Sequence, residues 1–129
     1  MATILLIEND HILQQVLKET LSKEHQVLGA KNSDEALKLL EEHKPDLVVT
    51  DLLVPNSNGV IPALGDALGL VSQVRSRNSR TRILVYSSVC YEPIYRRKIL
   101  TLGANDCLIK PVSLDTFERT IFNLLSSSP

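Results

Sequence analysis

The sequence predicts an α/β fold, a parallel five-stranded sheet with helices on both faces. Three observations carry that prediction. Short apolar segments alternate along the whole chain with stretches of helical periodicity, the signature of βαβ units. The middle segment, Leu47-Val48-Val49, is apolar at successive positions, as expected of a strand covered on both faces. Turn formers such as Pro55 and Gly59 then stop the apolar runs and force the chain round. At 129 residues, 43% of them hydrophobic, the chain is one domain's worth with material for a single core.

The elements follow in order. Thr3 to Ile7 reads as the first strand, with Glu8-Asn9-Asp10 at its carboxyl end. Asn9 or Asp10 caps the next helix, where Ile12, Leu13, Val16, Leu17 and Leu21 fall at helical spacing. Gln26 to Ala30 is the second strand, and Ser33 is the expected cap of a helix whose stripe is Ala36, Leu37, Leu39 and Leu40. Asp34 and Glu35 suit the positive end of that helix. The third strand ends at Asp51, and the turn to Gly59 follows. Arg82 to Tyr86 is the fourth strand, ending in Ser87-Ser88. A helix from about Pro93 to Leu102 stops at Gly103, a natural left-handed position. Cys107 to Ile109 is the fifth strand, ending in Lys110-Pro111. Ser113 caps a last helix with Leu114, Phe117, Ile121, Leu124 and Leu125. The domain is expected over 1–125, with Ser126 to Pro129 a polar tail or linker stub.

Composition narrows the function classes. A net charge of −1 gives no global basic field for nucleic acid. The amino terminus lacks a basic leader, and no apolar run approaches the roughly 20 residues of a membrane span. Cys90 and Cys107 have no metal-ligand spacing and read as reduced, buried thiols of a cytoplasmic protein. His11, His25 and His43 are scattered and expected to be exposed. Two basic runs, Arg75/Arg77/Arg80/Arg82 and Arg96-Arg97-Lys98, read as solvated helix faces and loop ends rather than a DNA contact.

The polar residues that finish the strands carry the chemistry. Glu8, Asn9 and Asp10, then Asp51, then Ser87 and Ser88, then Lys110 all emerge at one edge of a parallel sheet, the edge where open α/β sheets bind ligands. Carboxylates brought so close repel unless a cation sits among them. A hard divalent ion, Mg²⁺, meets that need, and Lys110 adds positive charge. A hydroxyl and an ammonium opposite a carboxylate also suit a phosphoryl group. Asp51 is then the nucleophile that forms an acyl phosphate, with Ser87 and Lys110 stabilising its oxygens.

These residues resemble the receiver domains of two-component response regulators, over about Thr3 to Leu125. The carriers are Glu8-Asn9-Asp10, the turn from Asp51 through Pro55 to Gly59, Ser87-Ser88, Gly103-Ala104 and Lys110-Pro111. The resemblance implies a flavodoxin-like three-layer sandwich with strand order 2-1-3-4-5. It matches Asp51 to the phospho-acceptor, Ser87 to the switch hydroxyl and Lys110 to the family's lysine, before a peptide bond that is usually cis. It implies Mg²⁺ on Glu8, Asn9, Asp51 and the Leu53 backbone carbonyl, with Asp10 a further candidate. It implies a histidine kinase or phosphotransfer protein as phosphoryl donor, a downstream protein effector, a homodimer as an option, and no nucleic acid or membrane contact of its own. The domain is then a signalling switch that assists its own phosphorylation and dephosphorylation, not an enzyme with a dedicated substrate. The alternative is a degenerate receiver that works as a phosphorylation-independent interaction module. A flavodoxin-like ligand-binding or hydrolase domain is a third reading, against which Pro55, Ser87 and Lys110 argue.

Three departures from the family pattern bear on the switch. Asn9 stands where the family usually has a metal-binding Asp, which predicts weaker Mg²⁺ binding. Cys107 stands where an aromatic usually reports phosphorylation, with Tyr86 or Tyr91 as substitutes, Tyr86 reading as ordinary packing. The segment from Gly59 to Ser87 is several residues longer than usual, the surplus lying in Val60 to Gly69. There Ile61, Leu64, Leu68 and Val71 fit a helical face, and an irregular loop over Asp51 is the competing expectation. The second basic run lies on the helix that receivers use for partner docking.

Overall fold

The middle strands of the sheet are apolar on both sides because helices cover both sides. The computed structural model describes residues 1–89 and 93–126. Its elements run β1 (Thr3–Ile7), α1 (His11–Leu21), β2 (Gln26–Ala30), α2 (Ser33–His43), β3 (Leu47–Thr50), α3 (Leu64–Arg77), β4 (Arg82–Ser87), α4 (Pro93–Thr101), β5 (Asp106–Ile109) and α5 (Leu114–Ser126). The strands are all parallel, in the order β2-β1-β3-β4-β5. Successive side chains of a strand alternate between faces. Leu5, Ile7, Val48, Ile83, Val85 and Cys107 therefore pack with Ala36, Leu40, Val71, Val74 and Ile99 of α2, α3 and α4. Ile4, Leu6, Leu47, Val49, Leu84 and Tyr86 pack with Leu17, Leu21, Phe117 and Ile121 of α1 and α5. Strand order reverses about β1 and β3, which opens a crevice at their carboxyl ends.

Local chemistry explains the ends. Asp10 caps α1, its side chain accepting from the backbone N–H of Ile12 and Leu13. The cap of α2 is Asn32, not Ser33: Asn32 is extended and its side chain accepts from Glu35 N–H at 2.8 Å. Ser33 is already helical, and its N–H donates instead to the Pro55 carbonyl. Ser113 Oγ accepts from Thr116 N–H at the start of α5. Gly103 ends α4 at φ +121°, and the Lys110–Pro111 peptide is cis.

The stripe expected on α1 divides. Leu17 and Leu21 are buried and Leu13 half-buried, while Ile12 is 76% and Val16 41% exposed. Helical positions advance about 100° per residue, so a face centred on Leu17 turns Ile12 and Val16 outward. In the 60–69 segment the helix begins at Leu64, so Pro62 precedes it and Ile61 is exposed, while Leu68 and Val71 are buried. The preceding turn is anchored. Asn56 Oδ1 accepts from the N–H of Asn58 and Val60, and Ser57 N–H donates to Asp34 of α2 at 2.9 Å. Val60 and Pro62 line a cleft between α2 and α3 together with Leu37 and Leu70; Asp51 and Lys110 are not among its walls. Cys107 is buried, as expected. Cys90, Tyr91 and the tail beyond Ser126 lie outside the described residues. His11 and His43 are exposed, but His25 is half-buried and its Nδ1 accepts from Ala2 N–H. No described helix is long and apolar enough to cross a membrane.

Candidate functional site

The strand register delivers four polar side chains to one rim. Glu8 follows β1, Asp51 follows β3, Ser87 ends β4 and Lys110 follows β5. Lys110 Nζ donates to Asp51 Oδ2 at 2.8 Å and to Glu8 Oε1, across 59 and 102 residues of chain. Glu8 is 3% exposed and also accepts from Asp10 N–H at 3.1 Å. The other Asp51 oxygen accepts from the N–H of Leu52 and Leu53, at 2.6 and 3.2 Å. Asp51 itself is held by its N–H, which donates to Ile7, and by its carbonyl, which accepts from Thr50 Oγ1.

Burial alone would raise the Asp51 pKa, but the hydrogen bond and charge of Lys110, with help from Ser87 and Leu53, hold it below the ordinary carboxylate value. Burial likewise opposes the charge on Lys110, and bonds to Asp51 and Glu8 outweigh it and raise the pKa. At neutral pH the Lys110 ammonium therefore faces an ionised Asp51. The ammonium also lies 5.3 Å from the centroid of Tyr86, whose ring packs on Phe117. Tyr86 faces the α1/α5 side of the sheet and Cys107 the other, so Tyr86 does not take the place left by Cys107.

The candidate metal ligands divide. Asp51, Glu8 and the Leu53 segment gather at the rim, and Asn9 is exposed beside them. Asp10 also caps α1: its Oδ1 takes the two N–H groups at the helix start. Among the described residues no three His, Cys, Asp or Glu side chains form a metal cluster. The donors gathered here are hard oxygens, the Glu8 and Asp51 carboxylates among them, which suits Mg²⁺, an ion bound by one or two carboxylates beside water and phosphate. Ser87 is fully buried, and Ser88 is exposed.

Sequence reasoning missed three side chains. Gln14 Nε2 donates to the carbonyls of Glu8 and Ala30, both at 3.0 Å. Its signal was a polar residue three and seven positions before Leu17 and Leu21, on a face otherwise buried. Arg75 belongs to no solvated run. Its guanidinium donates to the carbonyls of Gly103 and Asn78 and to Asn105 Oδ1. Arg96 likewise turns back from α4 onto β5, donating to the Cys107 carbonyl at 2.8 Å, to Cys107 Sγ at 3.0 Å and to Asp106 Oδ1 at 3.0 Å.

Comparison with known proteins agrees with this geometry. The response regulator receiver domain model matches residues 4–122. The chain is 30% identical over 124 residues to the transcriptional regulatory protein MalR of Bacillus subtilis, covering 94% of this chain and 49% of MalR. It is 26% identical over 123 residues to the probable C4-dicarboxylate response regulator DctR of Priestia megaterium, covering 92% of this chain and 50% of the relative. The chain thus spans about half the length of these two curated relatives. Among solved structures, the non-phosphorylated HemR receiver domain from Leptospira biflexa superposes with a TM-score of 0.86 at 28% identity, over 100% of this chain and 98% of that one. The family is a signalling domain rather than a classical enzyme; its members pair with histidine kinases and downstream effectors and generally bind Mg²⁺ at the phosphorylation site. With its strand order, its rim of Asp51, Ser87 and Lys110, and a family match over 119 of 129 residues (122 − 4 + 1), the chain belongs to the response regulator receiver domain family.

Proposed function

We propose that Asp51 accepts a phosphoryl group from a phosphohistidine of a kinase or phosphotransfer protein. The observation that supports this reading most is the Lys110 ammonium 2.8 Å from Asp51 Oδ2. Asp51 is ionised at neutral pH, as a nucleophile must be, because Lys110 outweighs its burial. An Asp51 oxygen attacks phosphorus, the P–N bond of the donor breaks, and its electron pair stays on the imidazole nitrogen. Lys110 then neutralises charge on the phosphoryl oxygens, and the Ser87 hydroxyl donates to one of them. Mg²⁺ would be held by Glu8, Asn9, Asp51 and the Leu53 carbonyl, and supplies positive charge to the same oxygens. The oxygen-only donor set supports that assignment.

Movement of Ser87 toward the phosphoryl group would carry the start of the β4–α4 connection with it and repack the face around α4. Ile94 and Leu100 on α4 and Ile109 on β5 are exposed large apolar residues, which suits docking of a downstream protein or a second copy there. A cytoplasmic setting fits a kinase-fed switch.

Incubation with acetyl phosphate and Mg²⁺, followed by intact mass measurement, tests the reading. The expected result is one added phosphoryl group in the wild type and none in Asp51→Asn. No adduct on wild-type protein shown to be folded would leave the phosphorylation-independent module as the better account.

A further inference from the structure

We propose that Gln14 is a positioning residue that fixes the acidic edge of the site by clamping the Glu8 peptide. The proposal rests on the Asp51 reading for its metal and labelling measurements only. Glu8 is the first residue past β1, where the ladders to β2 and β3 have run out at Ile7. Its N–H still reaches the Ala30 carbonyl at 3.0 Å, but its own carbonyl is beyond the last strand pair. Gln14 supplies the missing donor. One side-chain nitrogen on α1 donates to Glu8 and to Ala30, both at 3.0 Å, and so joins the carboxyl ends of β1 and β2. A residue whose N–H and carbonyl are both bonded has a fixed peptide plane on either side.

Two groups of the site depend on that plane. The Glu8 carboxylate, 3% exposed, must meet both Lys110 and Asp10 N–H, and Asn9 leaves directly from the clamped carbonyl. Gly29 on β2 is the counterpart of the clamp. A Cβ there would sit 3.2 Å from Gln14 Oε1 and 3.3 Å from Cδ, so the bare backbone makes room for the amide. The pair is local to this edge and touches neither Asp51 nor Lys110. Its effect on phosphate chemistry therefore runs through Glu8 and Asn9.

The test compares Gln14→Met, which keeps the length and loses the donor without adding charge, with Gly29→Ala, which crowds the same amide from outside. In metal-free protein, amide hydrogen exchange at Glu8, whose N–H donates to Ala30, and at Asp10, whose N–H donates to the Glu8 carboxylate, is expected to rise roughly tenfold in Gln14→Met while Val48 and Val49 in β3 keep their protection. A purely structural loss would raise exchange across the core instead. Titration with Mg²⁺ alone is expected to show affinity reduced roughly three- to tenfold, the equilibrium weight of one net hydrogen bond. Labelling by acetyl phosphate is expected to match wild type once Mg²⁺ is saturating. Gly29→Ala should weaken Mg²⁺ in the same direction, and the double variant should be no weaker than Gln14→Met. Unchanged Glu8 exchange with unchanged Mg²⁺ affinity in Gln14→Met would overturn the proposal. Should Gln14→Met not fold, Gly29→Ala carries the same measurements. If wild-type protein neither binds Mg²⁺ nor takes phosphate, the Asp51 reading fails, and exchange at Glu8 still decides for or against the clamp.

Discussion

At the scale of single residues the site is set by charge count. Lys110 already satisfies Glu8 and Asp51, and one Asp10 oxygen is engaged as a helix cap, so an incoming cation meets carboxylates that have another partner. Asn9 offers an oxygen but no charge. Ligand charge tunes divalent-ion affinity, so Asn9→Asp is expected to tighten Mg²⁺ binding by roughly tenfold. Equal dissociation constants for Asn9→Asp and wild type in a calorimetric titration would show that Asn9 is not a ligand. Gly103 poses a conformational question instead. At φ +121° a side chain is strained, and its Cβ would lie 2.7 Å from Arg75 Cγ. Gly103→Ala is expected to cost about 1–3 kcal/mol of unfolding free energy. A urea midpoint equal to wild type would remove that strain argument. Gly103 was legible from sequence because a glycine after a helical run has a standard role. Arg75 was not, because a guanidinium in a basic run carries no mark of the Gly103 carbonyl it will reach 28 residues away.

At the scale of elements, α4 is held less by burial than by a side chain. Its buried residue is Ile99, and Arg96 ties it to β5 through the Cys107 carbonyl, the Cys107 sulfur and Asp106. Asp106 presses the guanidinium into place while its Oδ1 also takes Cys107 N–H. The family's usual aromatic is absent from β5, and a half-exposed guanidinium from the neighbouring helix covers that position instead. Removing it in Arg96→Ala is expected to speed amide exchange in α4 several-fold while changing global stability by about 1 kcal/mol. Exchange rates in α4 that match wild type would mean that Ile99 packing alone holds the helix. Helix periodicity was readable on α1, yet the periodicity could not say which arc of apolar residues would meet the sheet. Leu13, Leu17 and Leu21 do, and Gln14 shares their arc because its amide has two carbonyls to satisfy. The cap of α2 moved by one residue for a similar reason. Asn32 and Ser33 are both good caps, and the Pro55 carbonyl claims the Ser33 N–H.

At the scale of the whole molecule, alternation was enough to reach a parallel sheet with helices on both faces, while the strand order came from the resemblance to receiver domains. That fold converts sequence separation into one electrostatic unit, and its pH response is the most direct measure of it. Asp51 has a lowered pKa, so its contribution to stability is fully present above the ordinary carboxylate value of about 3.9 and is lost as pH falls through its own lower value. Lys110 has a raised pKa, so its contribution is full below the ordinary lysine value of about 10.4 and is lost as pH rises through its own higher value. Between those limits this unit makes stability independent of pH. Lys110→Met reverses the acid side. Without the ammonium, Asp51 stays largely buried beside Glu8 with no cation to offset its burial, so its protonation is favoured by folding. The variant is expected to be about 3 kcal/mol less stable than wild type near neutral pH, and to recover part of that loss as pH falls to about 5. Urea unfolding of metal-free protein at a series of pH values checks both slopes. A stability gap that stays constant across that range would mean that the lysine does not hold Asp51 ionised, and the electrostatic account of the rim would fall with it.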